Sequence, residues 1–272
     1  MMKCLSKVII GTTLAVSAAT PAAAQEEAGL FGWIHGDWYL KVGATGMFAP
    51  DFEGGKDYLF SVSPIISLGK VGPEARFSSR NDAISFSLYD AGTFRAGVAG
   101  KLIFGRDDDD ADEVKGLDPV EFGGELGGFA EFYPTDWLRV RGEVRHGIRS
   151  HNGVVADLSA DAFHDVTDRV RVSAGPRLSL ASKDYFDAYY GVNAQESAAS
   201  GLAEYDPGGG IKAVGIRGAV DWKVTDRVTT NVFAEYSRLV GSAKDSSLVR
   251  ERGSANQFTV GMSATYRFDF KM

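Results

Sequence analysis

Phe258-Thr259-Val260-Gly261-Met262-Ser263-Ala264-Thr265-Tyr266-Arg267-Phe268-Asp269-Phe270-Lys271 is the stretch that decides the fold. Its even positions are apolar or aromatic: Phe258, Val260, Met262, Ala264, Tyr266, Phe268, Phe270. Its odd positions are small, polar or charged, ending Arg267, Asp269, Lys271. Alternate side chains of a strand point to opposite faces, so one face here is greasy and the other polar. Aromatics at both ends of the greasy face match a strand that crosses a lipid layer and meets its two interfaces.

Working outward, the same alternation recurs. Trp38, Leu40, Val42 and Ala44 alternate with Tyr39, Lys41, Gly43 and Thr45. Leu138, Val140 and Val144 alternate with Arg139, Arg141, Glu143 and Arg145. Val214, Ile216, Val220 and Trp222 alternate with Gly215, Arg217 and Asp221. Backbone polar groups in lipid must all be paired, which leaves closed barrels as the strand solution. The expected fold is therefore all-β: a closed antiparallel transmembrane β-barrel of about twelve strands, with ten or fourteen as alternatives. The strands start near residues 37, 57, 73, 82, 94, 121, 136, 153, 169, 211, 227 and 257. The even connections are short, whereas three odd ones are long: 105–120, 182–210 and 241–256. Outer-membrane barrels have short periplasmic turns and longer extracellular loops, so every long connection is expected outside.

Composition agrees with this reading. The chain has 272 residues, 33 of them glycine, 11% aromatics and a net charge of −7. The acidic balance argues against nucleic acid as a partner. The aromatic content argues against disorder, and the body of the chain has no apolar run of about 20 residues for a membrane helix. Residues 1–24 read as a signal peptide: Lys3 and Lys7, an uncharged stretch from Val8 to Ala19, then Ala22-Ala23-Ala24 before Gln25. Cleavage there removes the only cysteine, Cys4, and leaves residues 25–272 as one barrel domain. It also takes away two lysines and no acid, which moves the charge to −9.

The inward face carries Arg139, Arg141, Arg145, Arg171, Arg177, Arg217 and Arg267 beside Glu121, Glu125, Glu131, Glu143, Asp221 and Glu235. Unpaired buried charge is costly, so a lumen filled by arginine–carboxylate pairs is expected; a charged lining around a selective channel is the competing reading. Thr135-Asp136, Thr167-Asp168 and Thr225-Asp226 recur at short periplasmic turns, where Thr and Asp bond nearby backbone. The run Asp107, Asp108, Asp109, Asp110 is a weak metal candidate that lacks the spacing of a calcium loop. The aromatic-rich segment from Asp184 to Gly210 is expected to fold over the barrel mouth. No catalytic residues, metal ligands or cofactor motifs stand out: His35, His146, His151 and His164 are read as interfacial or loop residues, and none shares a strand face with a neighbouring Ser.

The second half resembles the MipA/OmpV family of Gram-negative outer-membrane proteins. The resemblance rests on Tyr189-Tyr190-Gly191-Val192, Gln195-Glu196-Ser197-Ala198-Ala199-Ser200-Gly201-Leu202 and Tyr205-Asp206. It also rests on Leu248-Val249-Arg250-Glu251-Arg252-Gly253-Ser254-Ala255-Asn256-Gln257-Phe258, leading to Tyr266-Arg267-Phe268. Gly105-Arg106 with the acidic run and Gly116-Leu117 adds a weaker match. The resemblance implies an outer-membrane barrel in contact with outer-membrane lipid. It further implies a non-enzymatic scaffold that links a murein lytic transglycosylase to a murein synthase. Adhesion through the outer loops and permeation of small solutes are the alternatives. The chain departs from the family in ending Asp269-Phe270-Lys271-Met272, past the usual terminal aromatic.

Overall fold

The computed structural model describes residues 13–17, 36–70, 77–107 and 111–271. One twelve-stranded sheet carries the fold. Its strands are β1 (Thr13–Ser17), β2 (Asp37–Pro50), β3 (Tyr58–Lys70), β4 (Ile84–Asp90), β5 (Phe94–Ile103) and β6 (Gly123–Thr135). They continue as β7 (Leu138–Ile148), β8 (Val154–Thr167), β9 (Val170–Ala181), β10 (Gly210–Lys223), β11 (Val228–Leu239) and β12 (Asn256–Lys271). Helices α1 (Lys183–Tyr190), α2 (Ala194–Ser200) and α3 (Gly241–Asp245) lie in the connections after β9 and β11. No described helix is long and apolar enough to cross a membrane.

Strands β4 to β12 pair with their chain neighbours, and β12 returns to pair with β2, Val260 opposite Phe48 and Lys271 opposite Asp37. Eleven strands run antiparallel, and β1 adds to the β3 edge in parallel. The strand expected from about residue 73 begins outside the described residues, and Phe77–Ser79 are irregular. β8 extends to Thr167, so His164 belongs to a strand rather than to a turn.

Burial is inverted relative to a protein folded in water. Phe60, Met262, Val144, Ile216 and Val232 are exposed, whereas Arg139, Arg141, Arg145 and Glu131 are each 3% exposed or less. Along β7 the ionic positions 139, 141, 143 and 145 are all buried and the aliphatic ones between them are not. Only a solvent that favours hydrocarbon makes that segregation stable.

The register also forces the chain through the middle of the molecule. β3 ends at Lys70 opposite Trp38, at the end carrying the short turns. β4 begins at Ile84 opposite Gly100, close to the end carrying the long loops. The connection between them therefore joins opposite ends of the sheet. Its described part, Phe77–Ala83, touches residues on β2, β7, β8, β9, β10 and β11. Strands so far apart in the sheet order meet one short segment only because the sheet curls around it.

Candidate functional site

The interior is built in layers. Near the short turns, Arg171 of β9 forms a bidentate pair with Asp165, directly opposite on β8, at 2.7 and 2.8 Å. Asp221 accepts from Asn231 at 2.9 Å, and Phe163 stacks on Phe77 at 4.7 Å between ring centres. Arg267 pairs with its neighbour on the same face, Asp269, at 2.6 Å.

The middle layer centres on Arg139. Its guanidinium donates to both oxygens of Asp82 at 2.7 and 2.9 Å and to Asp161 at 2.8 Å, over the ring of Phe77. Two parallel bonds match the planar fork of arginine to a carboxylate. Asp161 also accepts from Arg177. Arg141 bridges Glu131 at 2.9 Å and Glu143 at 2.7 Å above the ring of Phe129. Arg217 donates to Ser79 and, at 2.8 Å, to Asn81, which in turn donates to Glu235. Arg80 lies over Phe233. Residues 77–83 thus supply the counter-charges and hydrogen bonds that complete the layer.

The next layer is held by Arg145, which pairs with Glu125 at 2.7 Å, with Glu143 and with Asp157. Glu143 also accepts from the backbone N–H of Ala83 at 3.1 Å. His151, in the turn after β7, is buried rather than a surface turn residue. Its Nε2 lies 3.2 Å from Glu125, and its ring meets Tyr185 and Tyr189 edge-on.

The long loops close over this end. Tyr185, Phe186 and Tyr190 of α1 pack with Val155, Leu239, Ala243 and Val249, and a second cluster joins Val114, Leu117, Val192, Leu202 and Leu248. Glu53, from the β2–β3 loop, pins α1 by accepting from Tyr185 at 2.8 Å and Tyr190 at 2.6 Å, and it pairs with Lys212 at 2.9 Å. Burial alone pushes the Glu53 carboxyl up. The Lys212 ammonium and the two tyrosine hydroxyls outweigh it, and the carboxyl ends below its ordinary value. Burial and the adjacent Glu53 charge hold the Tyr185 and Tyr190 hydroxyls well above theirs. Between this lid and the Arg145 layer lies a polar chamber of about 260 Å³.

Of the ionic residues expected inside, Glu125, Glu131, Arg139, Arg141, Glu143, Arg145 and Arg177 share one network, and Arg217 and Glu235 join through Asn81. Arg171, Asp221 and Arg267 instead have separate local partners, and Glu121, at the foot of the long loop, pairs with Arg149 at 3.5 Å. At two of the three Thr-Asp turns the threonine hydroxyl accepts from the backbone two and three residues on: Thr167 from Arg169 and Val170, Thr225 from Arg227 and Val228. At Thr135-Asp136 the ladder instead continues to the pair Thr135 and Leu138. Asp108, Asp109 and Asp110 lie outside the described residues, and no metal-binding cluster occurs among the described ones.

Sequence reasoning missed Glu53, Asp82, His151, Asp157, Asp161 and Lys212. Asp157, Asp161 and Asp165 do alternate with Leu158, Ala160 and Ala162, which is a readable signal. Glu53, Asp82 and His151 sit outside the strands and carry no periodic signal.

A family model described as MltA-interacting protein MipA matches residues 42–268. No curated protein matches the chain. Among solved structures, Neisserial surface protein A is 13% identical, covering 86% of this chain and 99% of its own, with a TM-score of 0.27. The N-terminal β-barrel domain of Pseudomonas aeruginosa OprF is 8% identical, with 85% and 97% covered and a TM-score of 0.29. A bacterial polysaccharide outer membrane secretin is 9% identical, with 85% and 98% covered and a TM-score of 0.45. Likenesses this low bear on no function.

Proposed function

Because the chain belongs to the MipA family, we propose that it is a non-enzymatic, non-conducting outer-membrane barrel that docks murein hydrolase and synthase complexes from the periplasmic side. One observation carries the non-conducting part: Phe77–Ala83 runs through the interior and is tied to its wall by Asp82, Ser79 and Asn81. A solute path through that layer would have to break buried ion pairs, at about 3–5 kcal/mol for each partner left unpaired. The description of the family model, which names an MltA-interacting protein, supports the docking part.

Docking from that side falls on the short turns. Asp226 is almost fully exposed, Arg169 reaches toward it across neighbouring turns at 3.8 Å, and Lys271 lies 3.7 Å from Asp37. This rim alternates in sign and is small, which suits a weak, salt-sensitive contact. Export through a signal peptide covering residues 1–24 belongs to the same reading, and cleavage there would take β1 with it. The test is co-purification from solubilised outer membranes. Murein lytic transglycosylase enriched over an unrelated barrel, and lost from the Asp168→Lys/Asp226→Lys double variant, supports the proposal. No enrichment contradicts it.

A further inference from the structure

The chamber between the lid and the Arg145 layer is a space within an interior rich in paired charge. It is lined by Glu53, Lys101, Glu125, Arg145, Asp157, Tyr185, Tyr189 and Lys212 among others. Most of these are committed to one another. Arg145 has three carboxylates, Lys212 has Glu53, and the two oxygens of Glu125 are taken by Arg145 and His151. Two groups retain capacity. Lys101 stands opposite Glu125 in the ladder and lines the chamber; its charge acts on Glu125 and Asp157, but it makes no ion-pair contact with a carboxylate among the described residues. Asp157 meets Arg145 through one oxygen and accepts from the Ser179 hydroxyl, while 40% of its side chain stays open. Tyr189, stacked on Tyr185 at 4.5 Å, supplies a flat aromatic wall to the chamber.

We propose that this chamber is a binding site for a small zwitterion of dipeptide size, its carboxylate on Lys101 and its ammonium on Asp157. The argument is one of charge and size. A cation without a carboxylate in contact and a partly open carboxylate face the same cavity from β5 and β8. These strands are three apart, or about 14 Å along the curved wall at about 4.8 Å per strand, and the lysine stem shortens that span. The volume equals about nine waters at about 30 Å³ each. An anion would gain Lys101 but meet Glu53, Glu125 and Asp157. A cation would gain Asp157 but meet Lys101, Arg145 and Lys212. A molecule carrying both charges gives each of the two groups a direct partner and leaves the existing contacts intact. The site is independent of any murein partner, because it lies at the opposite end from the short turns.

Saturation-transfer NMR on the folded protein in lipid nanodiscs tests this, with alanylalanine as the probe and its N-acetyl and C-amide forms as controls. The expected result is saturable transfer from alanylalanine. Each capped form should bind about tenfold more weakly or less, the size expected for losing one charge-assisted hydrogen bond. Lys101→Met should remove binding of alanylalanine while keeping the heat-modifiable gel migration of a folded barrel. Asp157→Asn should weaken alanylalanine more than its N-acetyl form. No saturable transfer, equal transfer from the capped forms, or undiminished transfer with Lys101→Met each overturns the proposal. Equal binding of an uncharged disaccharide also overturns it, in favour of stacking on Tyr189 alone.

Discussion

At the scale of single residues, the interior depends on arginines that each hold several carboxylates. Arg139 is 1% exposed and keeps Asp82 and Asp161 neutralised. Arg139→Met therefore leaves Asp82 without its main partner and Asp161 with Arg177 alone, and should cost about 3–5 kcal/mol. Urea unfolding in detergent micelles measures this, and a loss below about 1 kcal/mol, the value of an exposed pair, would contradict it. Gly147 is a second sensitive point. A Cβ there would lie 2.3 Å from the His151 ring, so Gly147→Ala should push His151 off Glu125 and loosen α1. Limited proteolysis of residues 182–209 reads that loosening as faster cleavage. Glu53 makes the lid sensitive to acid. Its folded carboxyl titrates below its ordinary value of 4.5, so its contribution is complete above that value and lost as pH falls through the lowered one. The same proteolysis should accelerate below about pH 4.5 in the parent, and Glu53→Gln should be cleaved faster already at neutral pH and lose that acid response.

At the scale of elements, the proposed closure rests on two barriers in series: the Phe77–Ala83 segment in the middle and the loop lid at one end. Replacing residues 77–83 with a Gly-Ser linker, or deleting residues 183–207, should each leave a planar bilayer without conductance steps, because the other barrier remains. The combined variant should conduct. Steps from either single variant would show that the other barrier does not seal. How much of this was legible depends on periodicity. The alternation of Leu138–Arg145 and Phe258–Lys271 identifies both faces, because each strand repeats the signal several times and lipid permits few exceptions. The interior segment carries no such repeat. Phe77, Ser79 and Asn81 reach inward through irregular backbone, and a short alternating stretch there reads as one more wall strand. The aromatic content of the segment from Asp184 marked it as a cover for the barrel mouth but not as a helix, although Tyr185, Phe186, Tyr189 and Tyr190 fall one and four apart, the spacing of a helix face. Its anchor Glu53 was not legible, since it lies 132 residues away in sequence from Tyr185.

At the scale of the whole molecule, the sheet wraps a network in which nearly every charge has a partner, turns its apolar side chains outward and covers one end with packed loops. The edges β3 and β4 run in the same direction, and β1 lies along β3. As proposed, an architecture of this kind stands in a membrane to be recognised rather than to pass solutes. Single-channel recording of the folded full-length protein in planar bilayers tests that claim most directly. The account predicts a silent bilayer, whereas large, stable conductance steps would contradict it.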